Sequence, residues 1–301
     1  MGLGAGTFTT DLFLDDGQLV LGGASLVAVG GVHVSAAHRL SGYGTIAGNL
    51  TNSGTVVFYL GGPTTVNGSV ANTNGAAEMT IQDFPATFTG TVTNNGTFQT
   101  SHTTATYGGT FTNNASYTSN TATQNFTNLI IASTGSLTAG AGDVFNVSGD
   151  VTNNSTQNTA FNVSQAKFVL QGTGSHQFTW ASTNAPAPNN FAIGTLEVQS
   201  GGTVTITTSG PGSGIVLGAL IIGDGAAVIF GDGTPGLAAG GAGNFDAGFS
   251  TPDGSQPVGV GNVGHLTPPA TVPEPGTMGM LALGAIGGGI VGRRNRMRGG
   301  R

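Results

Sequence analysis

Short stretches in which apolar and polar residues alternate run along most of the chain, as expected of strands with one buried face. Before residue 271 no window shows the 3.6-residue spacing of an amphipathic helix. Leu12–Leu14 and residues 18–21 predict two strands around the Asp16-Gly17 turn. Residues 25–34 alternate in the same way. The pattern therefore predicts an all-β body.

A loose repeat of about 20 residues appears from Gly44 onward, which is a period typical of stacked solenoid coils. Each copy joins a short strand, an Asn-rich turn and a second short strand. Asn and Gly tolerate positive φ angles, so we expect Asn-Asn and Asn-Gly pairs at sharp corners. We also expect inward or corner Asn side chains to form hydrogen-bonded ladders. The clearest copies start at Gly48, Gly68, Gly90 and Gly109, and weaker ones lie at 126–129 and 149–155.

Two later units, at 194–206 and 218–230, are similar to each other and resemble strand repeats in the passenger regions of autotransporter-like surface proteins. Together the repeats predict that residues 1–232 form a right-handed parallel β-helix, or β-solenoid, with coils of about 20 residues. Some nine coils would stack at about 4.8 Å each. A jelly-roll β-sandwich is the alternative. Residues 181–190 are expected to form a projecting loop.

Residues 233–271 are rich in Gly and Pro, and we expect them to form a disordered, flexible linker. Proline cannot donate to a strand ladder, so its density argues against further coils. The prolines concerned are Pro235, Pro252, Pro257, Pro268 and Pro269.

The last thirty residues have three parts in a fixed order. The motif Val272-Pro273-Glu274-Pro275 comes first, an uncharged apolar run follows at 277–292, and a basic tail ends the chain. Pro273 and Pro275 favour extended backbone. The run predicts one short transmembrane helix, which at about 1.5 Å per residue falls short of a hydrocarbon core of about 30 Å. Lys and Arg beside a membrane segment usually stay in the cytoplasm, so the tail would stop the segment there and leave the body outside. The tail arginines are Arg293, Arg294, Arg296, Arg298 and Arg301.

This arrangement closely resembles the PEP-CTERM sorting signal of bacterial surface proteins, over about residues 272–298. Family signals often carry Ser or Thr directly after the second proline, where this chain has Gly276. The resemblance implies sorting by exosortase, a membrane-embedded enzyme of the cysteine transpeptidase type, and cleavage near the motif. It further implies an inner-membrane intermediate, and then delivery to the cell surface or extracellular matrix of a Gram-negative-type bacterium. An ordinary tail anchor is the alternative.

Charge and cysteine content exclude several kinds of partner and of chemistry. Only 7% of residues are charged, and the body carries only Arg39 and Lys167 as cations, so nucleic acid is not an expected partner. The chain has no cysteine, which excludes disulfides, thiolate metal sites and cysteine nucleophiles. Residues 1–10 lack the basic start and apolar core of a signal peptide. We expect that a signal has been removed or that the chain begins inside a longer gene product.

Candidate chemistry is sparse, and neither an enzyme nor a cofactor is expected. The acids Glu78, Asp83, Asp143, Asp150 and Glu197 are interpreted as isolated, solvated turn residues rather than catalytic pairs. His33 and His38 lack a third metal ligand nearby, and His102, His176 and His265 are isolated. Calcium binding is a hypothesis for the glycine-rich stretch containing Asp224, Asp232, Asp246 and Asp253.

We therefore expect a non-enzymatic, structural or adhesive surface protein, with extracellular polysaccharide as a candidate partner. A carbohydrate-active β-helix is a second hypothesis, which requires at least two acids on one face. A carbohydrate-binding module is a third, which requires exposed aromatic side chains in line. The aromatic candidates are Tyr43, Tyr59, Tyr107, Tyr117 and Trp180.

Overall fold

The computed structural model describes residues 2–3, 6–8, 10–59, 61–157, 160–180, 192–208, 216–230, 249–250 and 265–266. Within these ranges the chain is all β and forms one 28-stranded sheet. In the same ranges there is no helix with the length and apolar character needed to span a membrane. The predicted membrane segment at 277–292 lies outside the described residues.

The strands are short, and several of the longer ones turn a corner of the coil. The first fourteen are β1 Gly2–Leu3, β2 Gly6–Phe8, β3 Leu12–Leu14, β4 Gln18–Ala28, β5 Val32–Val34, β6 Arg39–Ala47, β7 Leu50–Asn52, β8 Thr55–Phe58, β9 Thr64–Asn67, β10 Val70–Asn72, β11 Glu78–Gln82, β12 Ala86–Phe88, β13 Val92–Asn94 and β14 Thr97–Ser101. The remainder are β15 Thr104–Asn113, β16 Ser116–Asn120, β17 Thr123–Ile131, β18 Ser136–Thr138, β19 Val144–Val147, β20 Val151–Asn153, β21 Val163–Leu170, β22 Ser175–Trp180, β23 Ala192–Val198, β24 Thr203–Thr208, β25 Val216–Ile222, β26 Ala227–Phe230, β27 Phe249–Ser250 and β28 His265–Leu266.

Each coil contributes strand residues to three parallel ladders, which form three sides. The side we call the asparagine side contains β3, β5, β7, β10, β13, the second halves of β15 and β17, β20, β22 and β24. The second side includes β8, β11, β14, β16 and β18. The third side includes β9, β12 and β19.

The predicted parallel β-solenoid is confirmed, with about ten turns and coils of about 20 residues. The jelly-roll alternative is wrong, because that fold requires antiparallel neighbours and the described strands pair in parallel, except for β26 with β28. Parallel stacking in register gives every coil the same inward positions. For that reason Leu50, Val70 and Val92 follow one another on the asparagine side with at most 2% of their surface exposed.

Aromatic side chains stack in the core because their inward positions are also in register. Phe88, Tyr107 and Phe126 are paired across adjacent coils of the third side. Their ring centroids are 5.4 and 4.7 Å apart, with interplanar angles of 5° and 7°. Phe145 and Phe168 continue the stacking at 4.8 Å. Such contacts add about 0.5–1.5 kcal/mol per pair beyond area burial.

The glycine that starts each repeat has a steric role. A Cβ atom on Gly90 would lie 2.6 Å from the carbonyl carbon of Gly68, and one on Gly109 would lie 2.7 Å from that of Gly90. Both distances are shorter than real Cβ contacts, so only glycine lets successive coils approach at this corner. This steric requirement explains the regular Gly in the sequence repeat.

Several local predictions have distinct outcomes. The strands predicted around Asp16-Gly17 exist as β3 and the start of β4, and Gly17 has a φ of 66°. They are not partners in a hairpin, because each pairs in parallel with the following coil. Within the predicted linker, β27 and β28 pair with β25 and β26. The remaining linker residues and the predicted loop at 181–190 lie outside the described residues.

Candidate functional site

A ladder of buried amides runs along the asparagine side. Asn52, Asn72, Asn94 and Asn113 are fully buried and occupy the same inward position in successive coils. Each Nδ2 donates to the Oδ1 of the next Asn at 2.8 Å, across sequence separations of 20, 22 and 19 residues. The predicted amide ladder is therefore confirmed as an internal feature.

The same amides also organise the turn that follows them. The Oδ1 atoms of Asn52 and Asn94 accept bonds from the backbone N–H of Gly54 and Gly96 at 3.0 and 3.1 Å. This Asx-turn contact satisfies donors that would otherwise be buried without a partner. The expectation that these repeat asparagines supply positive φ angles at corners is wrong. Among the described residues, the non-glycine residues with positive φ are Ala37, Asp83, His102 and Thr121.

The ladder stops where the sequence stops supplying Asn. Ile131 takes the position after Asn113, and Asn153 and Trp180 follow it. Asn153 keeps the turn contact, with its Oδ1 accepting from Ser155 N at 2.9 Å. Its buried Nδ2 has no hydrogen-bond partner within the described part of the chain, because its two neighbours in the column are Ile131 and Trp180. The amide column thus stabilises four coils rather than the whole stack.

Asp143 is buried, with 1% of its surface exposed, so the prediction that it is a solvated turn acid is wrong. One carboxylate oxygen accepts from the Ser119 hydroxyl and from Ala122 N at 2.9 Å. The other oxygen accepts from Gly140 N at 2.8 Å. The carboxylate thus supplies the acceptor for backbone N–H groups at a tight corner. No signal in the sequence distinguishes Asp143 from the exposed acids.

A polar network extends from Asp143 into the core. The Gln124 amide donates to Ser119 Oγ at 2.9 Å and to Thr100 Oγ1 at 2.6 Å. Tyr117 lies 3.3 Å from the Thr100 hydroxyl. Burial, more than any other factor, raises the pKa of Tyr117 above its ordinary value, and burial likewise raises that of Tyr107. These contacts hold polar groups inside the stack, where the carboxylate of Asp143 is buried.

The remaining predicted acids do not form a pair. Glu197 is not isolated, because its Oε2 lies 2.5 Å from Lys167 Nζ. Asp150 is exposed and accepts from Gln177 N at 2.8 Å. Glu78 and Asp83 are exposed, and the Asp83 side chain accepts from Gln82 Nε2 at 3.0 Å. The carbohydrate-active hypothesis therefore gains no paired carboxylates from these residues.

The described histidines contact different partners and do not form a cluster. His33 contacts Asp11, with 3.4 Å between Nε2 and Oδ1, and His176 is buried with its Nδ1 2.7 Å from Gly149 O. His102 contacts the neighbouring Ser101 hydroxyl at 2.8 Å. The described part of the chain contains no group of three His, Cys, Asp or Glu residues placed to hold a metal ion. The side chain of His265 lies outside the described residues, as do Asp232, Asp246 and Asp253 of the calcium hypothesis.

The aromatic row predicted for sugar binding is not formed by the proposed residues. Trp180, Tyr107 and Tyr117 are core side chains with at most 1% of their surface exposed. Tyr59 is half-buried, with the Arg39 guanidinium 6.0 Å from its ring centroid. Tyr43 is also half-buried, and its ring occupies space left free by Gly61 and Gly62.

Sequence reasoning missed an exposed aromatic cluster at the first described coil of the asparagine side. Phe13 has 57% of its surface exposed and stacks on His33, with 4.6 Å between ring centroids and an angle of 14°. Asp11 and Asp15 flank Phe13 on the same strand region and are exposed. The signal was present as the alternation Asp-Leu-Phe-Leu-Asp, in which Leu12 and Leu14 face the core.

The sorting residues Val272, Pro273, Glu274 and Pro275 and the basic residues Arg293, Arg294, Arg296 and Arg298 lie outside the described residues.

The body is of the class of parallel β-solenoids with a polar, internally hydrogen-bonded repeat. Residues 271–296 match the family model of the PEP-CTERM protein-sorting motif, which confirms the resemblance. With this motif the chain is an exported, exosortase-sorted protein with a membrane-anchored intermediate before processing. No curated protein and no solved structure matches the chain.

Proposed function

We propose that this protein is a non-enzymatic building or adhesive component of the cell surface or extracellular matrix, which exosortase cleaves near Val272–Pro275. The observation that carries the proposal is the combination of a sorting motif with a body whose polar side chains serve its own structure. The amide ladder and the Asp143 network are internal. The solenoid thus provides regular sides with few charged residues, which are suited to contact rather than to catalysis.

The arrangement of charged groups also supports a non-catalytic role. Glycoside hydrolysis uses two carboxyl groups about 5–9.5 Å apart across a sugar. Among the described residues Asp143 is enclosed by its donors, and Glu197 is paired with Lys167. Neither is available as a free acid or base at the surface. These two residues therefore give the carbohydrate-active hypothesis no support.

Release from the membrane would be the second part of the function. The basic tail and the apolar run hold the exported chain only until the motif is cleaved. The body carries twelve acidic residues against the two cations Arg39 and Lys167 before residue 271. Its net negative charge is repelled by anionic lipid, which favours its departure from the membrane into a hydrated matrix. The C-terminal signal would thus determine the location of the body, and the surface of the body would determine its binding partners there.

The proposal is tested in the source organism with a tag inserted between residues 233 and 250. Membrane, surface and medium fractions are compared in strains with and without the exosortase. We expect release of the tagged body in the first strain and retention in the membrane fraction in the second. Equal membrane retention in both strains would refute release, and would favour a plain tail anchor. A variant with Glu274→Ala serves as a second test, and should be retained in both strains.

A further inference from the structure

The geometry points to a binding site for an uncharged glycan at the first described coil of the asparagine side, formed by Asp11, Phe13, Asp15, His33 and Ser35. This inference deepens the proposed function and rests on it, since it names a matrix ligand for the body. It uses residues that neither the amide ladder nor the sorting signal requires.

The strand β3 presents the site by simple alternation. Leu12 and Leu14 pack against the core, so Asp11, Phe13 and Asp15 lie on the outer face. At about 3.3 Å per residue, each carboxylate-bearing residue lies about 7 Å along the strand from Phe13. An exposed ring is thereby placed between two acceptors on one face of the strand.

The next coil contacts all three side chains. Phe13 is in register with His33, and the two rings are stacked. The Asp11 carboxylate lies 3.4 Å from His33 Nε2, and Gly30 leaves the space that it occupies. The Ser35 hydroxyl donates to Asp15 Oδ1. Preorganised side chains lose less conformational entropy when a ligand binds.

The chemistry of this surface matches a sugar ring. The C–H face of a pyranose packs on an aromatic ring, while its hydroxyl groups donate to carboxylates in charge-assisted hydrogen bonds. More than half of the Phe13 surface is free for such a contact, and 43% of the Asp11 side chain is exposed.

Charge decides which glycans fit. Two carboxylates repel uronic or sulfated sugars, and no described Lys or Arg lies in the cluster to offset them. The outward residues that follow Phe13 and His33 in register are Thr51, Ala71, Thr93 and Thr112, all uncharged. A neutral glycan that leaves the site along this column meets hydroxyl and methyl groups. We therefore assign the site to neutral rather than anionic polysaccharide.

The test is calorimetric titration of the purified full-length chain with neutral hexasaccharides of glucose, N-acetylglucosamine and mannose. Oligomeric alginate provides the anionic comparison. We expect binding of at least one neutral oligomer and none of alginate. Phe13→Ala should weaken that binding about tenfold, and Phe13→Trp should retain it. Phe84→Ala is the matched control, because Phe84 is an exposed aromatic residue, 36% exposed, at a different corner.

Thermal unfolding followed by circular dichroism verifies that each variant is folded. Absence of binding to every neutral oligomer would overturn the inference, as would equal affinity of the wild type and Phe13→Ala. Tighter binding of a glucosamine oligomer than of its N-acetylated form would also overturn it, because the carboxylates would then form a cation site. None of these results alters the sorting experiment above, so the two proposals can fail separately.

Discussion

Replacing Asn94 with Leu tests whether the buried amide ladder holds the coils together. Leu has the same branched outline and the same number of side-chain heavy atoms as Asn, so the change removes hydrogen bonds without opening a cavity. Asn94 donates to Asn113 Oδ1 at 2.8 Å and to Ser116 O at 2.9 Å. It accepts from Asn72 Nδ2 at 2.8 Å and from Gly96 N at 3.1 Å.

The expected loss follows from which partners keep another bond. Asn72 Nδ2 also donates to Ala77 O and Thr97 O, so it stays satisfied. Asn113 Oδ1 and Gly96 N lose the partner described above and remain buried. Each orphaned group costs about 1–3 kcal/mol, which gives a loss of about 4 kcal/mol in the free energy of unfolding.

The assay is urea unfolding monitored by circular dichroism, with hydrogen exchange to locate the weakened coils. Stacked repeats contact mainly their neighbours, so amides near Asn72 and Asn113 should lose protection first. Asn95→Leu is the matched control, because Asn95 is half-buried and its Oδ1 accepts from Asn114 at 2.8 Å. We expect it to lose about 0.5 kcal/mol. A loss for Asn94→Leu within 1 kcal/mol of the control would refute the reasoning.

Three other substitutions give separate expectations. Gly90→Ala should lower the free energy of unfolding in urea by about 2 kcal/mol or more, because the new Cβ would meet the preceding coil. Gly75→Ala is the control and should change this free energy little, because its Cβ meets nothing within 4 Å. Asp143→Ala should lower the free energy of unfolding by about 3 kcal/mol, because it leaves buried N–H donors unpaired. Asp150→Ala, at an exposed residue, should lower it by less than about 1 kcal/mol. Equal losses for the two variants would contradict the described burial of Asp143. Burial raises the pKa of Tyr117, so the folded state holds this proton more tightly than the unfolded chain. Stability should therefore be unaffected below about pH 10 and fall above it, and Tyr117→Phe should reduce that alkaline loss in a pH series of thermal melts.

The coil period and the core were readable from the sequence because both follow from a repeated local pattern. Glycines at Gly48, Gly68, Gly90 and Gly109 mark one corner, and the apolar residue two positions later points inward. Each copy repeats the same steric requirement, so the signal is reinforced along the chain. The same repetition predicted the ladder of Asn side chains, although it did not show which Asn residues point inward and which lie at corners.

Single positions without a repeat were harder to predict. Asp143 resembles Asp150 in the sequence, and only the three-dimensional corner supplies its three donors. Trp180 is buried because it is in register with the inward Asn153, a pairing across 27 residues that the weakened repeat conceals. The alternation in β3 predicts that Phe13 faces outward, but the sequence alone does not show that His33 of the next coil stacks on its ring.

The central claim is that the C-terminal signal is removed after export, leaving the solenoid body as the mature surface or matrix protein. The most direct test is mass spectrometry of the C-terminus of the protein purified from the surface and medium of its source organism. The account predicts a C-terminal peptide that ends near Pro273–Pro275 and lacks Arg293 to Arg301. A mature protein that retains those arginines would contradict it.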